Sequence, residues 1–282
     1  MPPLFIINFK LLIMLHMWNI ELLKQLREMT FAPIKDCKEA LAEAGDDLEK
    51  AQEVLKKKGI AKAGTRAERE TKEGIVKIVE VDGKIVGLKL LCETDFVAKN
   101  ENFQGLFDSV LAKIAKSSNE VSKFEELDAT IAKDIDEEVK EFMGKTGENM
   151  NINQVLVTTQ KAFIYNHPGN RVSSLIFFEW GNDDVAKELA LQVTAMNPTY
   201  VSFDQIDANE IAKLKEEFSA ELKAAGKPEA MIAQIVDGKI KKSLADVVLL
   251  EQECIRDGSK KVKEVLPADM KVTKFIRMAI WS

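Results

Sequence analysis

The sequence predicts an α+β fold, and three observations carry that prediction. A strand–strand–helix pattern occurs twice, first from Ile75 into the helix after Thr94-Asp95, then from Val155 to Met196. A cluster of short amphipathic stretches precedes the first copy. Two longer helical stretches broken at Gly226-Lys227-Pro228 come after the second. Two sheets, each covered by helices, satisfy all three. The composition agrees: 282 residues, 46% hydrophobic and 30% charged, suffice for one large or two modest domains with a real core. The net charge of -6 argues against a broad phosphate-binding face, so no direct nucleic-acid partner is expected. Cys37, Cys92 and Cys254 are too far apart for a zinc knuckle and odd in number, which favours reduced thiols.

Residues 1–16 differ in character from the rest of the chain. Leu4 to Leu15 is almost continuously apolar, but it falls short of the ~20 residues of a membrane helix and lacks the small-residue cleavage pattern of a secretory signal. It reads as an upstream extension or misassigned start, with an apolar helix folded onto the body as the alternative, and no membrane partner is expected. Residues 17–59 read as a three-helix docking module. Ile20, Leu23 and Leu26 mark its first helix. Pro33 opens the second, which carries Ile34, Cys37, Ala40, Leu41 and Ala44 and closes at Gly45. Asp46 and Glu49 make a capping-box-like start for the third, which ends at Lys56-Lys57-Lys58 before Gly59. The mixed-charge run 60–74 reads as a linker.

Residues 75–150 form the first core subdomain. Ile75 to Val81 and Ile85 to Leu91 are strands joined at Asp82-Gly83, a pair suited to the positive φ angles of a tight hairpin turn. The apolar run then meets Cys92-Glu93-Thr94-Asp95-Phe96-Val97. From Phe96, the residues Phe103, Leu106, Phe107, Val110, Leu111 and Ile114 recur at helical spacing. The hand-over falls at Thr94-Asp95, where a side-chain oxygen can cap free N–H groups. Phe96 is then either a core residue seven positions before Phe103 or a side chain projecting from the corner. Ser122 to Phe142 reads as a helix with a Ser122–Glu125 capping box. Residues 151–204 form the second core subdomain: Val155 to Tyr165, a turn at 166–170, Val172 to Glu179, and a helix from Asp183 to Met196 with Val185, Leu189 and Val193 on one face. Residues 205–247 form an antiparallel helical hairpin with a charged outer face, expected to protrude as a short coiled coil. Its second helix carries Met231, Ile232, Ile235, Val236, Ile240 and Leu244. Residues 248–282 return to the core.

The words Thr94-Asp95-Phe96-Val97-Ala98 resemble the signature of the elongation factor Ts family, nucleotide-exchange factors for the GTPase elongation factor Tu. Leu26-Arg27-Glu28-Met29-Thr30 and Asp36-Cys37-Lys38-Glu39-Ala40-Leu41 resemble the family's N-terminal module, itself similar to ubiquitin-associated (UBA) domains. Gly147-Glu148-Asn149-Met150-Asn151-Ile152, Tyr165-Asn166-His167-Pro168-Gly169, the Gly-Lys-Pro turn, Leu249 to Val262 and Val272 to Arg277 stand in the family's order. Phe31 to Lys35 depart from the small and methionine residues usual before Asp-Cys-Lys.

The resemblance implies an exchange factor that binds elongation factor Tu with GDP or without nucleotide; the bacterial cytoplasm is the expected compartment, with an organelle as the alternative. It implies that Asp95 and Phe96, flanked by Thr94 and Val97, enter the partner's nucleotide domain and disturb its Mg²⁺ region. It also implies that Ile34, Lys35 and Lys38 dock the N-terminal module there, and that His167 touches a β-domain. Each residue has a plainer reading beside this one: Ile34 as core, the lysines as a solvated face, His167 as a turn. The residues themselves suggest no enzyme, cofactor or metal site, since no Gly-rich phosphate loop, paired-Cys spacing or Ser/His/Asp arrangement stands out. The rival reading is a non-enzymatic adaptor that uses the N-terminal module alone to bind another protein or nucleic acid.

Overall fold

A computed structural model describes residues 20–30, 32–63 and 68–281. The apolar segment 4–15 and Phe31 lie outside the described residues, as does part of the 60–74 run. The chain divides into two compact units, Met1–Val76 with Glu80–Thr159 and Ile280–Ser282, and Lys77–Val79 with Gln160–Ala279. Helices and antiparallel sheets make up both, the α+β class that the residue pattern predicts.

In the first unit, helix α1 covers residues 20–30, α2 is Ile34–Ala44 and α3 is Leu48–Ala63. Leu26, Ala32, Cys37, Ala40, Leu41, Ala51 and Leu55 form their shared core, as the three-and-four spacing requires. Three boundaries differ from the sequence expectation. Pro33 stands just before α2 rather than in its first turn, and its carbonyl accepts from Cys37 N–H. Asp47, not Asp46, caps α3 by accepting from Lys50 N–H at 3.1 Å, because Asp46 follows Gly45 into the left-handed region at φ 62°. Helix α3 also runs past Gly59 to Ala63, since one helical glycine costs only about 1 kcal/mol.

Strands β1 (Glu73–Val81), β2 (Lys84–Cys92) and β3 (Met150–Thr158) form a sheet in that order. Asp82 and Gly83 both take positive φ in the β1–β2 turn, as the Asp-Gly pair predicts. Strand β2 is central and almost wholly buried, and it pairs antiparallel with β3 from Ile85↔Thr158 to Cys92↔Met150. After it come α4 (Asp95–Ala98), α5 (Glu101–Ile114) and α6 (Ala129–Thr146). The apolar stripe expected for α5 is the one it buries, Phe103 to Ile114, while Phe96 lies outside that helix. The helix expected from Ser122 is a 3-10 turn at Phe124–Glu126 and then α6. Ser122 N–H donates to Glu126, not Glu125, at 2.7 Å, and extended backbone at Leu127 and Asp128 buries Leu127 before α6 begins.

In the second unit, β4 (Phe163–Asn166), β5 (Val172–Glu179) and β6 (Lys271–Ala279) form an antiparallel sheet in that order. The expected strand Val155 to Tyr165 is therefore two strands. Its first part completes the β2–β3 ladder, Thr159 turns away by donating to Glu120, and only β4 pairs with β5. Helix α7 (Asp183–Met196) has the predicted bounds; Leu189 and Val193 are buried against Ile176 and Val272, with Val185 partly buried. Helices α8 (Ala208–Ala224) and α9 (Glu229–Leu244) form the antiparallel hairpin around Leu222, Ile232, Val236, Ile240 and Leu244, with Lys239–Glu221 at 2.7 Å across it. Met231, expected on the apolar stripe, faces out. The short helix α10 (Val262–Val265) precedes β6.

Candidate functional site

The β2–β3 ladder ends at Cys92↔Met150, and beyond it two carboxylates take over from backbone pairing. Glu148 Oε2 accepts from Thr94 N–H at 3.0 Å, and its Oε1 accepts the Thr94 hydroxyl at 2.6 Å. In return, Glu93 Oε1 accepts from Asn149 N–H at 2.6 Å, and Asn149 Nδ2 donates to the Arg69 carbonyl at 2.7 Å. Hydrogen bonds to carboxylates are the strong kind, so this reciprocal clamp secures both segments where they diverge. The Cys92 thiol beneath it is pushed up to about 12, chiefly by burial and then by the charge of Glu148, and stays a protonated core group.

Thr94 is extended at φ -124°, ψ 154°, and its Oγ1 accepts from Val97 N–H at 3.4 Å, which starts α4 where the sequence places the hand-over. Helix α4 lasts one turn. Asn100 returns to extended backbone and caps α5 by accepting from Asn102 N–H at 2.8 Å, so Phe96 and Phe103 do not share a helix. The core reading of Phe96 is thereby overturned: it is 83% exposed, the most exposed large apolar side chain among the described residues, while Phe103 is fully buried. Burying a Phe is worth about 1.5–3 kcal/mol, and folding forgoes that gain here. Asp95 pairs with Lys99 one turn on at 2.6 Å, and the Lys99 ammonium holds its carboxyl below the usual range. Val97 is half-buried.

Ile34, Lys35 and Lys38 lie exposed on α2, which overturns the core reading of Ile34 and puts an apolar side chain beside two cations. In the second unit, His167 is exposed in the β4–β5 turn. Its N–H donates to the Val172 carbonyl at 3.0 Å, and its Nδ1 lies 2.9 Å from the Tyr165 hydroxyl. Sequence reasoning singled out neither Glu148 nor Glu93, Asn149 and Arg69. The word Gly147-Glu148-Asn149 was the available signal, but its contact with Thr94 spans 54 residues of chain.

The fold and this corner define a class: a mixed helix-and-sheet protein whose candidate site is an apolar side chain held out on a braced turn. Among the described residues no group of three or more His, Cys, Asp or Glu could hold a metal ion. The family described as "Elongation factor TS" matches residues 93–281. Elongation factor Ts of Hydrogenobaculum sp. (strain Y04AAS1) is 38% identical over 88% of this chain and 93% of that protein. The Elongation factor Ts of Aquifex aeolicus (strain VF5) is 34% identical over 93% of this chain and 97% of its own length. That of Francisella tularensis subsp. novicida (strain U112) is 37% identical over 93% and 91%. The chain belongs to the elongation factor Ts family. Its function is that of a translation elongation factor, a nucleotide-exchange factor for elongation factor Tu, and the adaptor reading is not favoured. Among the described residues no helix is long and apolar enough to cross a membrane.

Proposed function

We propose that the Thr94–Val97 corner is the exchange element, and that it enters the nucleotide domain of elongation factor Tu with Phe96 as apolar wedge and Asp95 as polar anchor. The observation that carries this is Phe96 at 83% exposure on a one-turn helix capped by Thr94. An apolar side chain left out of a well-filled core, on a backbone with little freedom, suits a partner's pocket. The target is the region that holds Mg²⁺ between partner and GDP. Mg²⁺ offsets repulsion among the diphosphate oxygens, so loosening it favours release. This factor performs no bond chemistry itself and needs no cofactor; it binds elongation factor Tu with GDP and, more tightly, without nucleotide.

The remaining contacts follow the same reading. Helices α1–α3 act as a UBA-like docking module, residues 17–59, with Ile34, Lys35 and Lys38 at its contact face. The charged run beyond Ala63 links it to a first core subdomain that extends through β3 to Thr159, and the second, from Gln160, offers His167 to a β-domain of the partner. Helices α8 and α9 form a short coiled coil within 205–247, and residues 248–282 return to the core. The setting is the bacterial cytoplasm, with no direct contact to nucleic acid or membrane. The test is stopped-flow release of a fluorescent GDP analogue from elongation factor Tu. The wild type should accelerate release strongly, and Asp95→Ala/Phe96→Ala should retain at most about a tenth of that effect, the loss of an interface anchor. Equal acceleration by the double variant would move the site elsewhere.

A further inference from the structure

We propose that Glu148 is a positioning residue for nucleotide exchange: its carboxylate holds Thr94 and thereby sets the direction in which Phe96 leaves the fold. The inference rests on the corner being the exchange element, and it adds a residue that touches neither nucleotide nor Mg²⁺.

Three observations meet in it. Both Glu148 oxygens are committed to one residue, the Thr94 N–H at 3.0 Å and its hydroxyl at 2.6 Å. Among the described residues Glu148 forms no ion pair, so Thr94 is the partner its charge serves. The Thr94 hydroxyl has only one proton. With that proton directed at Glu148, the oxygen's lone pairs are left to face Val97 N–H, the bond that begins α4. The brace therefore passes from the start of β3 through one hydroxyl to the turn that carries Phe96. Thr94 stands beyond the last backbone pair of the ladder, so no strand partner would fix it in place of Glu148. A wedge helps only when it arrives in the geometry the partner's pocket accepts, and a corner free to swing would spend binding energy on ordering itself.

The experiment measures stimulated GDP release as a function of factor concentration, and binding to nucleotide-free elongation factor Tu. It compares the wild type, Glu148→Ala, Glu148→Gln, Phe96→Ala and the double variant Phe96→Ala/Glu148→Ala. Losing a charge-assisted hydrogen bond should lower maximal release by about tenfold in Glu148→Ala. The loss should be smaller in Glu148→Gln, which keeps one acceptor oxygen. Where Phe96 is already Ala, adding Glu148→Ala should weaken binding much less than it does in the wild-type background, because only Asp95 is then left to aim. Equal further weakening in both backgrounds would show a general scaffold role and overturn the proposal. So would wild-type release by Glu148→Ala alongside an impaired Phe96→Ala. Wild-type release by Phe96→Ala would instead overturn the corner reading, and this proposal with it. Should Glu148→Ala fail to fold, Glu148→Gln, which keeps the side chain's size, carries the same comparisons.

Discussion

Phe96 and Phe103 are the same residue type seven positions apart, and the fold treats them oppositely. Phe103 is fully enclosed, so Phe103→Ala removes a buried ring and leaves a cavity, at a cost of about 3–5 kcal/mol. Phe96 gives little to the folded state, so Phe96→Ala should change stability by no more than about 0.5 kcal/mol. Urea unfolding of the two variants checks both figures. Paired with the release assay, it separates a functional Phe from a structural one: Phe96→Ala should be near-native in stability and poor in exchange, Phe103→Ala unstable.

At the scale of elements, α3 packs against α6, and Glu141 stands at that contact with Lys56 at 2.7 Å and Lys145 at 3.0 Å. Burial alone would raise the Glu141 carboxyl, but the two ammonium groups outweigh it and hold the group below its ordinary value of 4.5. A carboxyl lowered in the folded state binds protons more weakly there than in the unfolded chain. Its contribution is therefore complete above about pH 4.5 and is lost as pH falls through the lower folded value. Thermal melts of wild type and Glu141→Gln should accordingly differ by a small, constant amount at neutral pH and converge in acid. Because Lys56 is largely in solvent, the difference should also shrink in high salt. A gap that widened in acid would contradict this account of α3 docking.

For the whole molecule, exchange is a coupling between two ligands of elongation factor Tu, and coupling is reciprocal. Whatever factor this protein takes from the affinity for GDP, saturating GDP must take from the affinity for this protein. Calorimetric titration with nucleotide-free and GDP-loaded elongation factor Tu should yield two affinities for this protein. Their ratio should equal the change in GDP affinity measured with and without it. In Asp95→Ala/Phe96→Ala both ratios should fall together toward one, since the same contact produces both. Both ratios unchanged in the double variant, with release nonetheless slowed, would mean that the corner acts on the rate of release without acting on the equilibrium.

Most of the element order was legible because local chemistry decides it. Asp82-Gly83 has the residue types a tight turn needs, the stripe from Phe103 to Ile114 has helical period, and Thr94 has the oxygen a helix start requires. The breaks were harder. Period alone could not show that α4 ends at Ala98, since Phe96 and Phe103 fall on one face of any uninterrupted helix. Nor could it show that Thr159 turns the chain out of one sheet before Phe163 enters another, because the residues on either side are equally fit for a strand. By itself, then, the sequence determined the class of fold, the family through its ordered words, and the place of the corner. Only the tertiary structure decided that Phe96 stands in solvent and that Glu148 holds the turn beneath it. The physical reason is that propensity and period act over one or two turns of chain, whereas burial and the Glu148–Thr94 bond depend on which distant segments the sheet brings side by side.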